Sequence, residues 1–205
     1  MSMNCTAGQL NTTTSAARQT PKTTDVALIR SIAEGNKHAM QILFVRHNAR
    51  VYRFVMRLVG DNTAAEDLVS EVFLDVWRQA GRFQGRSQVT TWLLAIARNK
   101  ALSALRRRSF EELGEDVAAA IEDPQDGLEV TIQNRQTSEI LLCCLKELSP
   151  AHREVIDLVY YHEKSIDDVA EITGIAPNTV KTRMFYARKR IAELMTAQGI
   201  DRAIV

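Results

Sequence analysis

The chain has 205 residues, 45% of them hydrophobic and 25% charged, with a formal net charge of +1 at neutral pH, the balance of a soluble globular protein. No apolar run approaches the roughly 18 residues that a membrane span needs, so no membrane insertion is expected. Three cysteines, Cys5, Cys143 and Cys144, two of them adjacent, cannot build a disulfide framework, and no His or Cys stands near them at metal-ligand spacing. Neither a metal nor a cofactor is expected.

Aromatics are few, at 6%, and long period-two runs of Val, Ile and Tyr are missing, which points to an all-α fold. Residues 1–24 are rich in Thr, Asn, Gln and Ser, without the apolar core of a signal peptide. They read as a disordered polar leader on a cytoplasmic protein. A short apolar stripe then runs from Val26 to Ala33 and ends at Gly35-Asn36. A longer helix is expected from about Lys37 to Val59, through Leu43, Phe44, Val51, Phe54 and Val55. Gly60-Asp61-Asn62 stops it. Thr63 is expected to cap the next helix, with Glu66 as its capping-box partner. That helix, to about Ala80, sets Val69, Val72, Phe73 and Val76 on one face and Glu66, Asp67, Ser70, Glu71 and Asp75 largely on the others. After a loop from Gly81 to Ser87, a fourth helix is expected from Val89 to Arg108. These elements make a first domain over 25–108.

From Ser109 to Asn134 the charged residues are all acidic, Pro124 and Gly127 interrupt any helix, and the stretch reads as a flexible acidic linker. A second helical domain follows over 135–198. Ser149-Pro150 opens a fresh helix there. Ser165 opens another, with Asp168 completing a capping box, and Gly174 ends it at a turn suited to a positive backbone angle. Pro177 begins the last helix, which reaches about Met195.

Two constellations carry chemistry. From Ser165 to Tyr186, Ala170, Gly174 and Val180 stand at helix-turn-helix spacing. The second helix offers Asn178, Thr179, Lys181, Thr182 and Arg183 near its N-terminal end, where a major groove is read, and Arg188 beyond them for phosphates. From Phe83 to Arg108 there is no acid, and the cations are Arg86, Arg98, Lys100, Arg106, Arg107 and Arg108. A basic helix beside the polar loop Gln84 to Gln88 can hold a single strand and receive an extruded base; the alternative is that Trp92 is simply core and Arg106–Arg108 a solvated helix end. The acidic and apolar helix from Glu66 to Trp77 would repel DNA, so its partner is a protein. No Gly-rich phosphate loop occurs, and no histidine stands near a nucleophile in sequence. Catalytic residues are therefore expected to be none, and the chain not to be an enzyme.

Four separated motifs stand in order. They are Ala65-Glu66-Asp67-Leu68-Val69-Ser70-Glu71-Val72-Phe73; Thr91-Trp92-Leu93 with Ile96-Ala97-Arg98-Asn99 and Leu105-Arg106; Leu148 to Val155; and Thr179-Val180-Lys181-Thr182-Arg183 with Ala187-Arg188. Across about residues 25–196 the chain thereby resembles the extracytoplasmic-function (ECF) sigma factors of the sigma-70 superfamily. The resemblance implies two small helical domains, sigma region 2 and sigma region 4. It implies that Asp67, Leu68, Glu71 and Phe73 bind the clamp of the largest subunit of core RNA polymerase. Gln84, Arg86, Ser87, Thr91, Trp92, Arg98, Asn99, Lys100 and Arg106 would then recognise the −10 element of promoter DNA. Asn178, Thr179, Lys181, Thr182, Arg183 and Arg188 would read the −35 element while the second domain binds the polymerase flap. It also implies restraint by an anti-sigma factor. The chain departs from the family pattern at Ser70, Val89, Ser103, Asn178 and Tyr186, the last two on the −35 helix. Two rivals remain: a stand-alone helix-turn-helix regulator, and a sigma-like decoy that titrates an anti-sigma factor.

Overall fold

The first helix, α1 (Asp25–Ala33), begins where the Thr24 hydroxyl accepts a hydrogen bond from the Ala27 amide at 3.3 Å. Thr24, counted above with the leader, is thus the cap of the folded part. The computed structural model describes residues 24–112, 141 and 143–198. The expectations for 1–23, and for the acidic linker beyond Glu112, lie outside the described residues.

Asn36 caps α2 (Lys37–Val59), which ends at Gly60 with φ 69°. Asp25 ties the first two helices together, accepting from Arg46 Nη1 at 2.9 Å and lying 2.8 Å from His47 Nε2. The next helix, α3 (Asn62–Gln79), starts earlier than expected. Asp61, not Thr63, is its cap, and its carboxylate accepts from the Ala64 amide at 2.7 Å. A carboxylate satisfies an orphan amide and also opposes the positive end of the helix dipole, an advantage the Thr hydroxyl lacks. A 3-10 turn (Ala80–Arg82) and a loop lead to α4 (Val89–Glu112), which continues past the expected end at Arg108. Leu28, Ile29 and Ile32 of α1, Leu43, Phe54 and Val55 of α2, Val72 and Val76 of α3, and Leu93, Leu94 and Ala97 of α4 are buried together.

The second unit begins its described part with a helical stretch at 143–146. Arg153 closes that stretch from the next helix by donating to the carbonyls of Leu145, Lys146 and Leu148 at 3.0, 2.6 and 3.2 Å. The guanidinium takes carbonyls that a helix end leaves without partners. Pro150 opens α5 (Pro150–Ile156), although Ser149 makes no side-chain capping bond. Asp157–Tyr161 widen into a π-helical turn. The capping box on α6 (Ile166–Thr173) has the expected form: Ser165 Oγ accepts from the Asp168 amide at 3.1 Å, and the Asp168 carboxylate accepts from the Ser165 amide at 3.2 Å. Gly174, at φ 70°, turns the chain into α7 (Pro177–Ala197), where Val180, Met184 and Ala187 are buried. Every regular element among the described residues is helical. The two units meet along α4 and α6.

No atom lies within 4 Å of a Cβ built on Gly174, so an alanine there would suffer only from its left-handed backbone. Gly174→Ala is expected to lower stability by about 1–2 kcal/mol, read from the shift of the urea midpoint at unchanged slope.

Candidate nucleic-acid interface

On α7, the side chains of Asn178, Thr179, Lys181 and Thr182 are exposed and Arg183 is half-buried, all within the first two turns after Pro177. Thr182 Oγ1 donates to the Asn178 carbonyl at 2.9 Å, which leaves its lone pairs available as acceptors. Arg188 is exposed one turn further on. Val180, Met184 and Ala187 are buried, which fixes the rotation of the helix and leaves the polar side chains at the surface. Phe185 and Tyr186 are also exposed, stacked edge to face with centroids 5.4 Å apart.

The region from the loop through α4 is divided. Gln84, Arg86, Asn99 and Arg106 face solvent, Ser87 is half-buried, and Gly85 gives the loop a positive φ of 68°. Trp92 is half-buried against Phe83, with ring centroids 5.1 Å apart. Three other expected DNA contacts have partners inside the protein. Lys100 Nζ lies 3.2 Å from Glu71 and 3.0 Å from Asp75, both on α3. The hydrogen bond to Asp75 holds its pKa above the ordinary 10.5, against a smaller opposing effect of burial. Thr91 is fully buried, and Arg98 is engaged by α5.

On α3, Asp67 is exposed and Glu71 half-buried, but Leu68 and Phe73 are each only 4% exposed. They hold the helix to the core. The apolar side chain that α3 does present is Leu74, 54% exposed; Phe44 and Val45 of α2 are exposed as well, and Phe44 meets the Phe73 ring edge-on at 4.8 Å. Leu74, Phe44 and Val45 were not singled out from the sequence as partner contacts. For Leu74 the available signal is its position on the acidic side of α3, next to Asp75.

Between the two units runs a polar seam. Arg98 Nε and Nη2 donate to the two carboxylate oxygens of Glu154 at 2.6 and 3.2 Å, a bidentate pair. Thr91 Oγ1 donates to Asp168 at 2.8 Å and accepts from Lys164 Nζ at 3.0 Å. Lys164 also donates to Thr90 Oγ1 at 2.5 Å, and burial pushes its pKa below the ordinary 10.5. Arg57 of α2 pairs with Asp157 and covers the Tyr161 ring at 3.9 Å. His162 is buried edge-on to Phe54, its Nε2 3.3 Å from Asp157 but outside hydrogen-bond geometry. Burial alone would raise the pKa of Asp168. Hydrogen bonds from Ser165 and Thr91 and the charge of Lys164 outweigh it, so this carboxyl sits below 3.8.

Among the described residues, no group of three or more His, Cys, Asp or Glu is placed to hold a metal ion, and no helix is long and apolar enough to cross a membrane. Two family profiles match the chain, Sigma-70 region 2 over residues 43–111 and Sigma-70, region 4 over residues 138–191. The RNA polymerase sigma factor CarQ of Myxococcus xanthus is 30% identical over 165 residues, which cover 79% of this chain and 92% of that protein. The ECF RNA polymerase sigma factor SigL of Mycobacterium tuberculosis is 29% identical over 180 residues, 86% of this chain and all of that one. Among solved structures, the sigma factor RpoE of Bartonella quintana, in complex with the anti-sigma factor NepR, aligns with a TM-score of 0.63 at 27% identity. The alignment covers 76% of this chain and 96% of RpoE. CnrH, bound to the cytosolic domain of CnrY, shares the fold with a TM-score of 0.60 at 24% identity, over 84% of this chain and 97% of CnrH.

The depressed Asp168 carboxyl makes stability depend on pH in a defined direction. The folded state binds fewer protons than the unfolded state around and below pH 3.8, so the contribution is complete above that value and is lost as pH falls through the lower folded value. Asp168→Asn is expected to be less stable than the parent at pH 7, with the gap between their urea midpoints narrowing on acidification to pH 3.

Proposed function

The chain belongs to the ECF sigma factors of the sigma-70 family, and from that premise we propose that it binds core RNA polymerase and directs initiation by reading −10 and −35 promoter elements. The observation that carries this reading is the separation of surfaces. One face, with Asp67 and Leu74, is acidic and apolar and suits a protein partner. Two others, with Arg86, Asn99 and Arg106 on one unit and Lys181 and Arg188 on the other, are basic and suit nucleic acid. A stand-alone DNA-binding regulator has no need of the first.

The first unit, proposed as region 2 over 25–108, docks through the outer face of α3, where Asp67, Glu71 and Leu74 are accessible, onto the clamp of the polymerase. The loop 84–88 and the exposed side of α4 hold the melted −10 strand. Gln84, Arg86 and Ser87 surround an unstacked base, Trp92 stiffens the loop through Phe83, and Asn99 and Arg106 reach the backbone. The second unit, proposed as region 4 over 135–198, sets the N-terminal turns of α7 in the −35 major groove. There Asn178, Lys181, Thr182 and Arg183 meet base edges, and Arg188 meets phosphate. The same unit rests on the polymerase flap. Because RpoE of Bartonella quintana is held by an anti-sigma factor, we place this chain under a partner of that kind as well, covering its exposed apolar residues. The protein works in the cytoplasm and is not an enzyme.

Reconstituted transcription with core polymerase across genomic promoter fragments tests the whole reading. Promoter-specific initiation that depends on both proteins is expected; specific duplex binding by the chain alone, with no effect on core polymerase, would favour a stand-alone regulator. In that assay, Lys181→Ala with Arg183→Ala is expected to reduce initiation at −35-dependent promoters by about tenfold or more, the scale of losing one or two base or phosphate contacts. Unchanged transcription would remove α7 from promoter reading.

Asp67→Ala with Leu74→Ala is expected to weaken core binding about tenfold, with an unchanged melting temperature. Phe73→Ala, by contrast, should act through the fold, costing about 3–5 kcal/mol as a buried aromatic. Core affinity unaltered by the double substitution would count against the docking face.

A further inference from the structure

We infer that Phe185 and Tyr186 are specificity-determining residues: the pair of rings on the outer face of α7 packs on thymine methyl groups in the −35 major groove, so this chain selects thymine there by apolar contact. The inference deepens the reading of α7 as the −35 helix and rests on it.

The sequence sets the rings on the reading stripe. At about 100° per residue, the buried positions Val180, Met184, Ala187 and Ile191 define one side of α7. Asn178, Thr182, Phe185, Tyr186 and Lys189 fall on the opposite side, at helical spacings of three or four residues, and all of them are exposed. Phe185 is 58% and Tyr186 53% exposed, so the rings are surface and not core. Phe185 lies two turns beyond Asn178, about 10 Å along the axis, within the roughly 12 Å width of a major groove. A helix that brings Asn178 and Thr182 to base edges therefore brings the rings to the bases that follow.

The charge around the rings says what covers them. A contiguous apolar patch on a polar surface marks a contact. From Pro177 to Ala192 the cations are Lys181, Arg183, Arg188, Lys189 and Arg190, and there is no acid. A protein partner would need an acidic rim built around an apolar centre. DNA offers both at once: phosphates along the edges of the groove for the cations, and on its floor the C5-methyl group of thymine for the rings. The rings stand edge to face, with centroids 5.4 Å apart and planes at 76°, so each restrains the other before DNA arrives. An aromatic side chain has only two torsions to fix, and little freedom is lost on contact. Neither ring can supply the paired N–H donors with which a guanidinium reads guanine O6 and N7, so guanine gains nothing from this pair. Tyr186 is one of the positions at which the chain departs from the family pattern, which makes the preference its own.

The test uses holoenzyme assembled from core polymerase and the full chain, on a promoter library randomised over the −35 element. Initiation is expected to select thymine, on either strand, at one or two positions of that element. Phe185→Ala combined with Tyr186→Ala is expected to abolish this selection at unchanged melting temperature and core affinity, because both residues are exposed. In a selected promoter, deoxyuridine in place of such a thymine removes the methyl group alone. The parent holoenzyme is then expected to initiate about three- to fivefold less per methyl, the scale of one buried methyl group, and the double variant to be indifferent to the change. Equal initiation by the parent on thymine and deoxyuridine would overturn the contact. Weaker core binding by the double variant, with promoter selection unchanged, would give the rings to the polymerase and overturn it too. Selection that survives Lys181→Ala with Arg183→Ala would instead remove the reading of α7 itself, whereas promoters that need those two cations and ignore the methyl refute the ring contact alone.

Discussion

The cations of α4 have to be held somewhere when no nucleic acid is present, and much of the structure is arranged around that requirement. Between Phe83 and Arg108 the chain has six basic residues and no acid, yet α4 packs in the middle of the molecule, against α2 and α3 on one side and α6 on the other. A cation brought from water into such surroundings is costly unless it is paired and hydrogen-bonded. The partners come from outside the helix: Glu71 and Asp75 from α3 for Lys100, and Glu154 from α5 for Arg98. The acids of α3 and of the second unit are the counter-charges that let a basic helix pack at all.

This explains which features were legible in the sequence. The capping box at Ser165 and Asp168, the turn at Gly174, the proline start at Pro177 and the all-helical class follow from rules that act over a few residues, and the structure has them. The start of α3 obeys the same local logic with two rules in competition: Gly60-Asp61-Asn62 stops α2, and Asp61 is also a better cap for α3 than Thr63. Leu68 and Phe73 show a different limit. Apolar residues at 68, 69, 72, 73 and 76 describe a stripe wide enough for a core face, and family resemblance assigned two of them to a partner although both are buried. Leu74, which breaks the stripe, is the apolar residue left outside.

The seam could not be read at all. Thr91 and Asp168 are 77 residues apart, and Arg98 and Glu154 are 56 apart, with the acidic stretch between them. Charge segregation along the chain was visible, but it gave no reason to pair Arg98 with Glu154 in particular. Glu154 lies inside the motif from Leu148 to Val155 and Asp168 inside a capping box, so each already has a local explanation. A residue that satisfies a local rule can still have a distant partner: the Asp168 carboxylate accepts from Ser165 within its own turn and from Thr91 across the seam.

Arg98 and Lys100, two residues apart on α4, then come to differ in kind. Lys100 is held within the first unit, by two carboxylates of the helix proposed to dock on polymerase. Two of the three N–H donors of its ammonium face these carboxylates, and the hydrogen bond to Asp75 is the main cause of its raised pKa. Its position suits a strut between α3 and α4. Arg98 is held from the other unit, so its pairing depends on how the two units pack. Two neighbouring cations are thus held in different ways, and the origin of their counter-charges separates them.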